Sequence, residues 1–141
     1  MVDAISHNVD LVDGIGGTFA DQLRGVGKGD VVLAVSFAPY SRNTVRAVDY
    51  AVKQGAKIIA ITDSALSPIA RHPGGISLVV RNDSPSFFYS VVPAMAVAEI
   101  LVMLMAADGG EGALKALEDS ADQLNGFDAY WIDRAARKGE R

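Results

Sequence analysis

The chain has 141 residues, half of them hydrophobic and 21% charged, with a net charge of −4 and a pI near 5.0. That length suits one domain with a real core, and the acidic balance argues against direct nucleic-acid binding, which needs clustered Lys and Arg. With no cysteine in the chain, disulfides and thiolate chemistry are excluded.

In chain order, Val9 to Val12 reads as a short strand closed by Asp13-Gly14. Thr18 can cap a helix running to about Arg24, with Phe19 and Leu23 on one face. Gly25, Gly27 and Gly29 lead into Val31 to Val35, an uninterrupted apolar run of the kind found in strands buried on both faces. From Ser41 to Gln54, Val45, Val48, Ala51 and Val52 recur at helical spacing, and Gly55 supplies a C-cap. Lys57 to Ile61 reads as a third strand, followed by Thr62-Asp63-Ser64 and a short helix from Ser67 to about Arg71 with Pro68 at its first position.

Ile76 to Val80 is a fourth strand candidate, ending in Arg81-Asn82-Asp83-Ser84. A long apolar helix follows from about Ser86 to Ala106, with Pro93 tolerable near its start. After Asp108-Gly109-Gly110, Glu111 to Leu124 is amphipathic, with Leu114, Leu117, Ala121 and Leu124 on the inner face. Trp131 and Ile132 suit a final helical turn. The stretch Val91 to Ala107, broken by Pro93 and Glu99, is too short and interrupted to span a bilayer, and the amino terminus lacks the regions of a signal peptide. A cytoplasmic protein without membrane contact is expected. Arg134, Arg137, Lys138 and Arg141, mixed with Asp133 and Glu140, read as a solvated tail. Alternating strands and helices predict an α/β fold, a three-layer sandwich with a parallel sheet, in a single domain over residues 1–141. Its core would lie at about residues 9–106, with C-terminal helices at 107–135.

Ligands of such folds sit outside the carboxyl ends of the strands. Ser36, Ser41 and Thr44 lie between the strongest strand and the helix after it, where hydroxyls, free N–H groups and the helix dipole all favour an anion such as a phosphate. The plainer reading is that Ser41 only caps its helix and Ser36 only satisfies a strand end. Thr62, Asp63, Ser64 and Ser67 flank the next strand end, and Ser84 and Ser86 the one after. Ser67, before Pro68, is well explained as a helix cap alone, with contact to a sugar the minority reading, and capping explains Ser84 and Ser86 equally well. His7 and His72 stand apart from each other and from carboxylates at ligand spacing, so no metal site is expected. Gly14-Ile15-Gly16-Gly17 lacks the dinucleotide spacing and reads as a turn, and no motif calls for a cofactor. Catalysis would need a poised acid or base, for which Glu99 and His72 are the candidates.

The stretch from Val31 to Thr44 resembles the phosphosugar loop of the SIS (sugar isomerase) domain, a strand followed by Ser-x-Ser-Gly-x-Thr-x-Glu-Thr. Ser36, Ser41 and Thr44 match its hydroxyl positions, whereas Ala38, Pro39 and Asn43 replace the second Ser, the Gly and the Glu. The variant Ser-Phe-x-x-Tyr-Ser-Arg-x-Thr-Val and the segment Gly55 to Ala70 look similar to the sensor half of RpiR-type transcriptional regulators. The resemblance runs from about Val9 to Ala106. It implies a homodimeric SIS-like sandwich that binds a sugar phosphate at the strand ends through Ser36, Ser41 and Thr44, with Ser67 and Ser84 as further contacts and no catalytic residue. The long helix would bury part of its apolar surface in the dimer.

The family pattern also implies a helix-turn-helix domain and a first strand with a Gly-x-Gly-x-Ser turn, neither of which has a match in the sequence. A domain truncated at its N-terminus, with a half-built ligand site, is therefore expected. The competing readings are a sugar-phosphate isomerase and a dimerisation module that binds no ligand.

Overall fold

Five consecutive apolar residues offer no stripe for an amphipathic helix, and Val31–Val35 instead form the first strand, β1, of a parallel sheet. The computed structural model describes residues 8–15, 18–84, 89–127 and 129. Its elements are α1 (Phe19–Gln22), β1, α2 (Arg42–Lys53), β2 (Lys57–Thr62), β3 (Ile76–Val79), α3 (Val92–Asp108) and α4 (Gly110–Gly126). The strands lie in the order β1-β2-β3, and both pairs are parallel. The register sets Val35 opposite Ile61 and Thr62 opposite Val79. The strands therefore end almost level, and the loops that follow them are neighbours. This is the α/β class that the sequence predicts. Two compact units are present, Asp10–Ile100 and a second whose described part is mainly residues 101–127.

The core of the first unit lies between α2 and one face of the sheet. Side chains alternate along a strand, so Val32 and Ala34 of β1 share a face with Ile58 and Ala60 of β2. Ala34, Ile58 and Ala60 pack with Val48 and Ala51 of α2 and with Ala56 and Ile69, flanked by Val45 and Val52. These are the helix positions that the apolar spacing selects. Three alanines at the centre keep the contact layer thin and bring the helix backbone close to the sheet.

Local chemistry sets the ends of α2. Ser41 is its N-cap, and its side chain accepts the Thr44 N–H. At the other end the Gly55 N–H donates to Val52 O and the Ala56 N–H to Ala51 O, both at 3.0 Å. That pair of bonds is a Schellman motif, and Gly55 takes the left-handed φ of +89° that it requires. At the first helix, Thr18 caps α1 in a reciprocal capping box with Asp21.

Several expectations are corrected. Val9 to Val12 forms no strand: Asp10 interrupts it, Leu11 is 79% exposed, and no ladder partner holds it. The described sheet accordingly has three strands. Ser67 to Arg71 is a run of turns, in which the Ser67 N–H donates to Ser64 O and the Ala70 N–H to Ser67 O. A segment that short cannot repay helix nucleation.

The apolar run of β1 is covered on one face only, since Val31, Leu33 and Val35 on the other are exposed. α3 begins at Val92 and not near Ser86, which lies outside the described residues, as do Trp131 and Ile132. Pro93 is then its second residue, where the missing N–H would have had no intrahelical acceptor. α4 does not bury its expected inner face: Leu114 and Leu124 are exposed, and Ala113 is buried instead. Ala113 takes that place because Gly109 lets the chain approach closely, a Cβ at 109 falling 2.7 Å from the Ala113 Cβ.

Gly55→Ala places a Cβ in a left-handed conformation while meeting only ordinary contacts at Lys28. The expected result is a loss of about 1–2 kcal/mol in urea unfolding, with the m-value unchanged.

Candidate functional site

The ladder between β1 and β2 continues one residue beyond β1, where the Ser36 N–H donates to Ile61 O at 3.2 Å. This fixes Ser36 at the carboxyl edge of the sheet with only 7% of its surface exposed. Its Oγ accepts the Ser41 N–H at 3.4 Å, and the Ser41 Oγ accepts the Thr44 N–H at 3.4 Å. Two hydrogen bonds thus bring Ser36, Ser41 and Thr44 together. In both bonds the hydroxyl is the acceptor, so the protons of both serines remain available to an incoming acceptor. The N–H groups of Arg42 and Asn43, the first two residues of α2, have no intrahelical acceptor and lie at the positive end of the helix dipole. The turn is therefore rich in donors, and its polarity suits an oxyanion.

Asp63, just past β2, faces this turn. Its Oδ2 accepts the Ala38 N–H at 3.4 Å, its Oδ1 accepts the Thr62 hydroxyl at 3.2 Å, and the Tyr40 hydroxyl also donates to it. Burial pushes the Asp63 pKa up, but the hydrogen bonds from Tyr40, the local backbone, Ala38 and Thr62 together outweigh it and hold the pKa below 3.8. The Tyr40 phenol is raised above 10.0, first by burial and then by the bond to Asp63 and its charge. At neutral pH Asp63 is therefore a carboxylate fixed against the turn. Asp63 and Tyr40 were not expected to act at the Ser36 turn. The signal that finds them is the parallel register, which makes residues just past β1 and just past β2 neighbours.

The remaining candidates are more scattered. Ser67 is 1% exposed, and its hydroxyl reaches no hydrogen-bond partner. Ser84 is half-buried in the segment after β3. Asn82, which sequence reasoning did not single out, is also buried with its side-chain nitrogen unpartnered. Glu99 is exposed on α3. His72 is not as isolated as its sequence spacing suggests, because its Nε2 lies 3.7 Å from Asp49 Oδ1 on α2. A groove between α1 and α2, lined by Asp13, Phe19, Leu23, Asn43, Arg46 and Tyr50, runs along the helix and not over the Ser36 turn. Asn43 belongs to both places. The donors converge at the turn, which makes it the candidate site.

A family model described as the SIS domain matches residues 2–104. Among solved structures, the sugar isomerase domain of an RpiR transcription factor from Sphaerobacter thermophilus is similar, with a TM-score of 0.66 and 30% sequence identity. The match covers 73% of this chain and 57% of that one, so the chain spans little more than half the length of that structure. No curated protein matches the chain. The residues matched by the family model take in all three strands, the Ser36 turn and the Asp63 loop, and across that span the chain belongs to the SIS domain family, in its RpiR-like form.

Proposed function

We propose that this chain binds a sugar phosphate and serves as the effector-sensing part of an RpiR-like transcriptional regulator. The observation that carries this reading is the linked set Ser36, Ser41 and Thr44 at the N-terminus of α2, with two hydroxyl protons and two helix amides uncommitted. A phosphate brings the acceptors that these donors lack. In this reading Ser36, Ser41 and Thr44 hold the phosphate, and Ser67 and Ser84 face the sugar. Residues 1–141 act as one SIS-like domain in the cytoplasm, and contacts to DNA belong to another part of the regulator. The similarity to the sugar isomerase domain of a transcription factor supports the assignment to a regulator.

The same reading makes the protein a homodimer. α3 is apolar on all sides, yet Met95, Ile100, Met103 and Leu104 are each half or more exposed in the single chain. A helix of that composition normally sits inside a core or an interface. Among the described residues no single helix is long and apolar enough to cross a membrane. In this reading the surrounding of α3 is a protein interface. Met103→Glu combined with Leu104→Glu is expected to halve the mass measured by light scattering. A dimer that survives both charges contradicts this interface.

A thermal-shift screen against a panel of sugar phosphates tests the ligand assignment. At about a hundred times its dissociation constant, the effector stabilises the fold by roughly 2.7 kcal/mol and raises Tm measurably. Ser41→Ala with Thr44→Ala is expected to abolish that rise, at a cost of about 0.5–2 kcal/mol in basal stability from the lost cap. A panel without any shift, from a well-folded protein, contradicts the sensor reading.

A further inference from the structure

The Ser36 turn carries an internal anion. Of the backbone donors that could serve a phosphate there, the Ala38 N–H is already taken by Asp63 Oδ2 at 3.4 Å. Pro39, the next residue, has no N–H to offer. The Ser41 and Thr44 amides are committed to the Ser36 and Ser41 hydroxyls. A ligand phosphate therefore meets a fixed negative charge and a turn whose Ala38, Ser41 and Thr44 amides are already engaged, the first of them by that charge. We propose that Asp63 is a specificity-determining residue: its carboxylate occupies the turn as a built-in competitor, and a ligand phosphate binds by displacing it from the Ala38 N–H.

This proposal rests on the phosphosugar reading and adds the element that limits affinity. Thr62 sits beneath the carboxylate and holds its other oxygen at 3.2 Å, while the Tyr40 hydroxyl joins it from the turn itself. With both oxygens held, Asp63 stays at the turn in the free protein instead of swinging into solvent. Once displaced, the carboxylate still has Thr62 as a partner, so the exchange costs one amide bond and not the whole arrangement. The repulsion that remains falls hardest on a dianionic phosphate and leaves an uncharged sugar unaffected. Asp63 therefore discriminates by ligand charge, independently of whichever groups read the sugar.

The test is calorimetric titration of wild type and Asp63→Asn with inorganic phosphate, and with glucose as the uncharged control. Asn keeps an oxygen for the Ala38 N–H and removes the charge, with its amide nitrogen standing where Oδ1 accepts the Thr62 hydroxyl, which can turn to accept in its place. The expected result is phosphate binding tightened roughly tenfold in the variant, with the response to glucose unchanged. Binding that is unchanged or weakened in Asp63→Asn, while wild type binds phosphate, overturns the competitor role and leaves the sensor reading standing. Absence of phosphate binding in both proteins overturns the two together. A second measurement does not depend on the variant folding. The carboxyl carbon resonance of Asp63 in wild type should shift as phosphate saturates the site, and a resonance that stays still while phosphate binds overturns the displacement.

Discussion

The candidate site depends on the parallel register between β1 and β2. Because Val35 stands opposite Ile61, and the ladder continues through the Ser36 N–H, the residues just past the two strands face each other. That single alignment buries Ser36, brings Asp63 to the Ala38 amide, and points the N-terminus of α2 at the space between them. Slipping β1 by one residue would turn Val32 and Ala34 away from α2 and dismantle the site along with the core. Packing and site are therefore two consequences of one pairing.

The alanine-rich contact between α2 and the sheet contributes to the same result. Ala34, Ala51 and Ala60 bring the helix close, and Val48 and Ile69 close the layer around them. The Schellman motif at Gly55 returns the chain to β2 directly after α2 ends, with Ala51 and Ala56 both buried at the join. Helix and strand are thus fixed at both ends, and the donors of the first helical turn are held in place before any ligand arrives. Preorganisation of this kind removes part of the ordering cost of binding.

Much of this was legible in the sequence, for identifiable reasons. The strand Val31–Val35 and the helix after it carry strong one-dimensional signals, an apolar run and a 3.6-residue period, and both are found where the pattern puts them. Ser36, Ser41 and Thr44 were readable because they lie within nine residues of one another. Asp63 was not, since its partner Ala38 is 25 positions away and only the sheet register unites them. The turns at Ser67 to Arg71 show the opposite failure, where local helix signals were real but too few to sustain a helix. The inner face of α4 failed because periodicity marks a face as apolar without supplying a surface to cover it.

The most direct measurement of the central claim is an amide-resolved NMR titration of the wild-type protein with inorganic phosphate. The account predicts saturable shifts concentrated at Ser36, at Ala38 and from Tyr40 to Thr44, the residues whose amides surround the turn. Shifts concentrated instead along the groove at Phe19, Leu23 and Tyr50, or no saturable shift anywhere, would contradict it.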